Sequence, residues 1–508
     1  MQKLFILLFF FGWIFIEAEA QQDDKNNSKI EYESDLVTGE RINGVRINRF
    51  IGNVIAKQES TISYCDSAVS YRKENIMDAF KNVRIVDDST TINADKLHYD
   101  GNSRLTELRG NVIYNKNIQY LYTENLDYNL DTEVSRFFGG GKLKDTTNTL
   151  TSDRGYYYAQ KDYALFYGDV ILVSPDFTLK TDTLEYNTIT KVAYSQGKTY
   201  IEDGEGAKLY STGGEFRTEV DQSLFAGGVI QTEKYDMTGD DLFFDEVRKY
   251  YRSKGHTLLT AKEKDLRIFG DEGYHDDKNG ISKIYGSPVM QRILKKDTFY
   301  LAADTIVSIE NEIDSLDRIL AYHNIRIYKT GLQGRSDSSA YFLYDSLIFM
   351  YQNPILWNYK NQVTSDTISL EVTQETIEKL YLENKAFLVG QDTLLNFNQI
   401  KGHSMEGIFI NNEITTMYVT GNAEGLYYVI GKGDSTIMGM NKFICSTMKI
   451  GFEDQAVKNI TIYKEPSANF IPPHELTQEL MFLKGYTWKP EERPHLESLL
   501  RKSINIDL

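Results

Sequence analysis

The sequence predicts an all-β protein, a stack of about thirteen antiparallel repeats of about 29 residues. Three observations support this prediction. A motif of the form apolar-x-small-Asp-x-apolar-x-aromatic recurs along most of the chain, as in residues 92–99 and 179–186. Each copy is followed about half a period later by Gly-polar-Val or a relative, as in 110–112. The chain also has 35 tyrosines and only 8 prolines, which is typical of β-structure. A fixed period of this length indicates units that bury their apolar faces against their neighbours.

The Asp position of the motif, called the slot here, is the position that recurs most regularly. The predicted slot residues are Asp66, Asp95, Glu124, Asp153, Asp182, Thr212, Asp240, Asp271, Asp304, Asp337, Asp366, His403 and Asn441. The preceding residue is small in every copy except the last, where it is Met440. A calcium ladder is disfavoured, because carboxylates one two-strand repeat apart are separated by roughly 10 Å, whereas calcium needs several oxygens within about 2.6 Å. We interpret the slot as a bend residue whose side chain bonds nearby backbone.

Apolar residues occupy positions −3, −1, +2 and +4 relative to the slot, so their parity changes across it. Because a plain strand keeps one parity on one face, the strand must bend or bulge at the slot. Both halves then point inward in a V-shaped, flattened-jellyroll cross-section. Turn-like pieces such as 100–103 indicate two antiparallel strands per repeat. The inward row consists of Ile92, Ala94, Leu97, Tyr99, Leu121, Leu126, Tyr128, Leu150, Tyr157, Leu179, Leu184, Tyr186, Met237, Leu242 and Phe244.

This inward row has two interpretations. It fills a closed core, or, if the two halves of the bent sheet stay apart, it lines a continuous apolar groove that shields acyl chains. In the second case, the fifteen residues are candidate lipid contacts, and each buried CH₂ contributes about 0.8 kcal/mol.

The rest of the chain predicts export and a simple organisation. The predicted regions are a signal peptide at 1–20 cleaved after Ala20, a partly disordered leader at 21–40, the repeats at 41–464, and a Pro-rich tail at 465–508 with a short helix at about 474–484. The tail is a cap or docking segment, or a loosely packed terminus. No later stretch is apolar enough to span a bilayer.

Composition and motifs argue against several functions. A formal charge of −17 disfavours nucleic acid as a partner. Cys65 and Cys445 lie in the first and last predicted repeats, so no disulfide between them is expected in a linear stack. The seven histidines lack ligand spacing, and no nucleophile, phosphate-loop or dinucleotide motif occurs in a suitable context. We therefore predict no enzyme activity, no cofactor and no metal site.

Residues 92–100 (Ile-x-Ala-Asp-x-Leu-x-Tyr-Asp) and 108–112 (Leu-x-Gly-Asn-Val), repeated after an export signal, resemble the OstA/LptA-like family of lipopolysaccharide transport proteins. The resemblance is closest to the long OstA-like proteins of Gram-negative bacteria. It implies a β-jellyroll, also called a β-taco, that carries lipopolysaccharide through the periplasm with its acyl chains in the groove. It also implies partners among other jellyroll transport proteins, or a second copy of the chain, joined by edge-strand pairing.

Two alternatives of other classes stay open at this stage. One is an extracellular β-solenoid that binds or cleaves polysaccharide, which would need exposed carboxylates or aromatic residues at neighbouring rungs. The other is a structural spacer of the cell envelope with a closed core.

Overall fold

The computed structural model describes residues 30–500, except positions 43, 44, 59, 88, 89, 117, 145, 176, 188, 205, 218, 219, 221, 234, 246, 263, 264, 296, 312–315, 374, 375, 411, 412, 432–435 and 455. Nearly all regular structure in this part is antiparallel β, which confirms the predicted all-β class. The predicted signal peptide lies outside the described residues. The chain divides into a first unit (Met1–Glu233 and Asp241–Val247) and a second unit (Lys234–Asp240 and Arg248–Leu508).

The first unit is built from long strands joined by short connections. Its strands are β1 (Glu31–Glu33), β2 (Leu36–Ile42), β3 (Val45–Gln58), β4 (Thr61–Tyr71), β5 (Ile76–Asp87), β6 (Thr90–Asp100), β7 (Leu105–Lys116), β8 (Gln119–Asn129), β9 (Val134–Lys144), β10 (Thr149–Tyr158), β11 (Tyr163–Val173), β12 (Phe177–Asn187), β13 (Val192–Asp203), β14 (Lys208–Arg217) and β15 (Gln222–Gln231). A 3-10 turn occupies Ala159–Lys161. Strand β16 (Tyr235–Asp245) contributes residues to both units.

The second unit mixes long strands with shorter ones. Its strands are β17 (Tyr250–Ala261), β18 (Leu266–Asp276), β19 (Ile281–Tyr285), β20 (Val289–Ile293), β21 (Thr298–Ala302), β22 (Thr305–Ile309), β23 (Arg318–Lys329), β24 (Leu332–Phe342), β25 (Leu347–Tyr351), β26 (Ile355–Asn358), β27 (Asn361–Thr364), β28 (Thr367–Val372), β29 (Ile377–Gln391), β30 (Phe397–Ile410), β31 (Glu413–Ile430), β32 (Ile437–Glu453), β33 (Ala456–Tyr463) and β34 (Ser467–Ile471). Two 3-10 turns (Pro473–Glu475, Pro490–Glu492) and helix α1 (Leu496–Leu499) follow.

The predicted change of parity is produced by a β-bulge at the level of the slot. Between the pairs Asn93↔Ile113 and Lys96↔Arg109, strand β7 has one residue more than β6. The extra residue therefore lies in the Gly-Asn strand and not in the Asp strand. The bulge divides each long strand into two segments, called leaf A before the slot and leaf B after it in even-numbered strands of the first unit. In odd-numbered strands the order is reversed.

The slot side chain contacts this bulge. Gly110 and Asn111 both have positive φ (77° and 44°), and the Asn111 amide donates to Asp95 Oδ2 at 2.7 Å. An ideal Cβ on Gly110 would lie 2.5 Å from the same oxygen, so glycine is required by both conformation and space. The Asn82 amide donates to Asp66 in the same way. The partner is thus mainly an amide of the following strand, whereas the sequence suggests backbone close to the slot.

Two slots differ from the prediction. Asp35 accepts a hydrogen bond from Asn53 Nδ2 at 2.8 Å and faces Gly52, so it is an additional slot before Asp66. In the last repeat, Ser446 lies opposite the bulge of β31, and Cys445 is the small residue before it. The assignment of Asn441 is therefore wrong. With these changes, the described residues contain fourteen slots.

Both ends of the predicted repeat region also differ. Strand β1 and most of β2 lie inside the predicted leader, and they belong to the sheet because Tyr32 stacks on Phe50 at 4.4 Å and β2 pairs with β3. At the other end, the helix predicted at about 474–484 is absent from those described residues, and the described part of the tail has a single α-helix, α1. Apart from β34, which pairs with β32, the two 3-10 turns and α1, the described tail packs on the rest of the second unit without regular secondary structure.

The two cysteines are buried and carry free thiols. Burial raises the pKa of Cys65 to about 11, and burial also raises that of Cys445.

Candidate apolar binding cavity

A cavity of about 420 Å³ lies between leaf A and leaf B of the first unit, along strands β3 to β11. Both leaves contribute apolar side chains to its wall. The apolar wall residues include Ala56, Met77, Ile85, Ile92, Leu97, Tyr99, Leu108, Tyr114, Leu121, Leu126, Tyr128, Phe137, Leu143, Tyr157, Ala164 and Phe166. The volume lies in the range of about 300–1,000 Å³ that is usual for small-molecule sites.

Polar residues of the cavity lie at the ends of the strands. On leaf A they include Lys57, Asp87 and Lys116, and on leaf B they include Arg104 and Ser135. The cavity is therefore apolar in its depth and polar at its rim. This distribution suits an amphiphile whose apolar chains enter first and whose polar part stays at the rim.

The predicted inward residues separate into two groups. Seven of them line the cavity: Ile92, Leu97, Tyr99, Leu121, Leu126, Tyr128 and Tyr157. The other eight, Ala94, Leu150, Leu179, Leu184, Tyr186, Met237, Leu242 and Phe244, do not line it, and all but Phe244 are buried. Phe244 instead packs edge-on against Phe225 at 5.6 Å. From β12 onward, the inward row therefore fills core rather than bordering open space.

The strand that carries the Gly-polar-Val signal supplies wall residues that the Asp motif does not reveal. Leu108 and Tyr114, which lie two residues before and four after Gly110, line the cavity as their neighbours on β6 do. Gly155 occupies a +2 position where four other copies have leucine, and the Phe137 ring takes the space above it. The spacing from the Gly signal could have identified Leu108 and Tyr114. The packing of the large Phe137 ring over Gly155 can be identified only from the paired strands of the structure.

The cavity wall disfavours charge. Burial raises the pKa of Tyr114 to about 12, and burial likewise raises the pKa of Tyr99 and Tyr128. Each tyrosine therefore stays neutral across the physiological range and presents an apolar ring with a hydroxyl. No group of three or more His, Cys, Asp or Glu side chains within the described part of the chain is arranged to hold a metal ion.

The interior of the second unit is closed. The void between its sheet layers measures about 20 Å³ and is lined by residues such as Leu356, Val363, Leu388 and Met417. This is space for one water molecule and not for an acyl chain. Leu382 and Met417 are fully buried, so the inward positions are packed against one another as in an ordinary core.

The opposite, outer face of the second unit is covered by the tail. Leu483 packs with Phe387, Val389 and Tyr428, while Leu499 packs with Val289 of β20 and with residues of β21. Val389 and Gln399 are paired across strands and share this outer face, whereas the adjacent Leu388 faces the interior void. The tail thus buries an apolar outer surface and leaves the interior unchanged.

Three buried glutamines, called the glutamine ladder, bond the tail: two contact its backbone and one contacts a side chain. Gln399 donates to Met481 O (2.8 Å) and accepts from Leu483 N (2.9 Å). Gln362 donates to Thr487 O and accepts from Lys489 N, both at 2.8 Å. Gln333 accepts from Arg493 Nε at 2.7 Å. Each glutamine lies four residues before a slot (His403, Asp366, Asp337), so the tail is bonded by one glutamine from each of these repeats.

The fold and the cavity define the class as an all-β repeat protein with a ligand-sized apolar cavity between bent sheet leaves. The sequence model of the OstA-like protein family matches residues 28–182. The matched segment contains every residue that lines the cavity.

Among solved structures, one similar chain is LptH from Pseudomonas aeruginosa, the LptA-homologous periplasmic component of a lipopolysaccharide transport device. It is 11% identical, the alignment covers 21% of this chain and 81% of LptH, and the TM-score is 0.20. No curated protein sequence matches the chain. No helix within the described residues is long and apolar enough to cross a membrane.

Proposed function

We propose that this protein is a non-enzymatic periplasmic carrier that shields the acyl chains of lipopolysaccharide in the cavity of its first unit. The observation that supports this most is the coincidence of the OstA-like segment 28–182 with the whole cavity wall. Burial of acyl chains there is favourable by about 0.8 kcal/mol per CH₂. Polar rim residues such as Lys57 and Arg104 would face the polar part of the lipid.

The second unit has a different role in this proposal. Its closed interior and covered outer face fit a structural spacer, which is the closed-core alternative applied to one half of the chain. Only the first unit would carry lipid at rest.

Partner contacts would use the first strands of the chain. Strands β1 and β2 pair with β3, and within the described residues no strand pairs with their other side. Open edges of this kind accept a further strand by main-chain hydrogen bonding. The partner would be another jellyroll transport protein or a second copy of this chain.

Photo-crosslinking in cells tests the carrier function. A photoreactive residue at Leu97 or Leu126, both in the cavity wall, is expected to form adducts with lipopolysaccharide. Of the matched neighbours that do not line the cavity, Lys96 is the control and should form none, whereas Asn125 pairs with Phe138 and reports on the outer face of leaf B. Leu184 and Leu242 should form adducts only if the closed interior opens during transport.

Absence of adducts at both cavity positions would contradict the carrier function. Adducts at Lys96 and Asn125 alone would instead indicate an outward-facing glycan binder.

A further inference from the structure

The outer face of leaf B carries an alternating array of cations and rings on β9, β10 and β11. The array consists of Arg136, Phe138, Arg154, Tyr156 and Tyr167. The Arg136 guanidinium lies 4.7 Å from the centre of the Phe138 ring and 5.7 Å from that of Tyr156. Tyr156 meets Tyr167 edge-on at 6.2 Å, and Arg154 lies 5.2 Å above Tyr167. The side chains are thus ordered before any ligand arrives, which lowers the entropy lost on binding.

The two arginines of the array are exposed, and neither forms a salt bridge within the described residues. Nearby Arg109 differs, because it pairs with Glu107 at 2.9 Å and with Asp127 at 2.5 Å. Asp127 lies opposite Arg136 across β8 and β9 but pairs with Arg109, so among the described residues neither Arg136 nor Arg154 forms a salt bridge with a carboxylate. In a chain of formal charge −17, this array is a local site for an anion.

The array lies on the back of one wall of the cavity. Ser135 and Tyr157 line the cavity and are paired across β9 and β10, and the next pair along the strands is Arg136↔Tyr156. A molecule whose apolar chains occupy the cavity and whose polar part emerges at the leaf B rim would meet this array next.

We propose that the array binds the anionic sugar chain of the amphiphile whose acyl chains occupy the cavity. The guanidinium faces contact the rings, so the N–H edges are available for bidentate contacts with phosphate or carboxylate groups. The half-buried rings of Tyr156 and Tyr167 present their accessible parts to the C–H groups of sugar rings. The inference rests on the proposed function and adds to it a sugar-binding subsite outside the cavity.

The alternative is that the array only stabilises the sheet. Cation–ring pairs at exposed sites contribute about 0.5–1 kcal/mol each, and cross-strand pairs contribute similar amounts. A stabilising array would change the melting temperature on mutation without binding any sugar.

The test is a calorimetric titration of the full chain with the deacylated, phosphorylated core oligosaccharide of lipopolysaccharide. Wild type is expected to bind, and the double variant R136Q/R154Q to bind at least about tenfold more weakly, since two bidentate contacts are lost. R84Q, which alters an exposed arginine elsewhere in the first unit, is the control and should bind as wild type does. The dephosphorylated oligosaccharide should bind as weakly to wild type as the phosphorylated one does to the double variant.

Equal binding by wild type and R136Q/R154Q would overturn the proposal, as would full competition by a polyglutamate peptide, which would show a site for acidic protein segments. If the double variant does not fold, R136K/R154K keeps the charge and loses the bidentate geometry, and it should bind several-fold more weakly than wild type. Retention of wild-type affinity would overturn the proposal here too. The cavity-filling variant L126W separates the proposal of a sugar-binding array from the proposed acyl-chain carrier function. It should lose acyl-chain capture and keep oligosaccharide binding.

Discussion

The two units are built from the same type of repeat, but their interiors differ. In the first unit, leaves A and B leave a cavity of about 420 Å³, whereas the corresponding void in the second unit is about 20 Å³. The second unit also buries its outer face under the tail through the glutamine ladder. The comparison shows that the repeat motif specifies the bend of the strands, while the residues between slots decide whether the interior is open. The predictions below test this difference.

Removal of the tail should have the largest effect and should affect only the second unit. Ending the chain after Ile471 removes Leu483 and Leu499 and deprives three buried glutamines of their hydrogen bonds to the tail. We expect a loss of at least about 6 kcal/mol, from roughly 1.5–3 kcal/mol for each of the two leucines and about 1 kcal/mol or more for each of the three glutamines. Hydrogen exchange measures the two units separately.

The first unit should keep its wild-type protection in that experiment. Ending the chain after Leu500, which keeps both leucines, is the control. If the second unit also stays fully protected without its tail, the tail does not support this unit.

A second prediction concerns the exclusion of water from the cavity, which the pKa of Tyr114 reports. The pKa of Tyr114 is raised to about 12, so its native state holds the proton more tightly than the unfolded state does. The resulting stability is complete below pH 10 and is lost as the pH rises from about 10 to about 12, at a cost of about 2–3 kcal/mol. Y114F should lack this part of the alkaline loss. The difference between the ultraviolet titrations of wild type and Y114F isolates this tyrosine, and titration near pH 10 would mean that water fills the cavity.

Matched tryptophan substitutions compare the two interiors directly. Leu126 and Leu388 are each 5% exposed, but Leu126 borders the cavity and Leu388 the small void. L388W should destabilise the second unit by about 1–3 kcal/mol through overpacking. L126W should change the stability of the first unit by less than about 0.5 kcal/mol, because the ring has room. Urea denaturation followed by hydrogen exchange measures both, and equal costs would contradict the distinction between the interiors.

Substitutions of slot residues should have the smallest effects on stability, and these effects should be similar in both units. Asp95 accepts from Asn111 at 2.7 Å in the first unit, and Asp304 accepts from Asn324 at 2.8 Å in the second. Replacement of either Asp by Ala should cost about 0.5–1.5 kcal/mol for the lost hydrogen bond. Replacement by Asn should cost less, because its carbonyl oxygen still accepts. In thermal melts, a larger cost for Asn than for Ala would show that the slot depends on charge.

The sequence predicts the fold because the slot chemistry is local. Each Asp, its small predecessor and the Gly-Asn bulge lie within about half a period, so their spacing alone indicates a bent antiparallel pair. Asp35 is missed because it lies in a polar segment that looks disordered. Asn441 is chosen in place of Ser446 because a flanking apolar pattern resembles the motif, although the large Met440 before it breaks the rule that holds elsewhere.

The cavity is less predictable than the fold. Leu97 and Leu184 occupy the same motif position, yet only Leu97 borders open space. The difference depends on residues of neighbouring strands, such as Phe137 and Gly155, whose sizes compensate each other only once the strands are paired. Docking of the tail is also invisible in the sequence, since glutamine four residues before a slot is an outward position in an isolated sheet.

The central claim is that the first unit holds acyl chains, and native mass spectrometry of protein purified from its own envelope tests it most directly. Wild type and L388W are expected to carry a mass increment that matches lipopolysaccharide, and L126W is expected to carry none. The variant that ends after Ile471 should keep the mass increment, because the tail lies on the second unit. Wild-type protein without bound lipid, or L126W with as much lipid as wild type, would contradict the account.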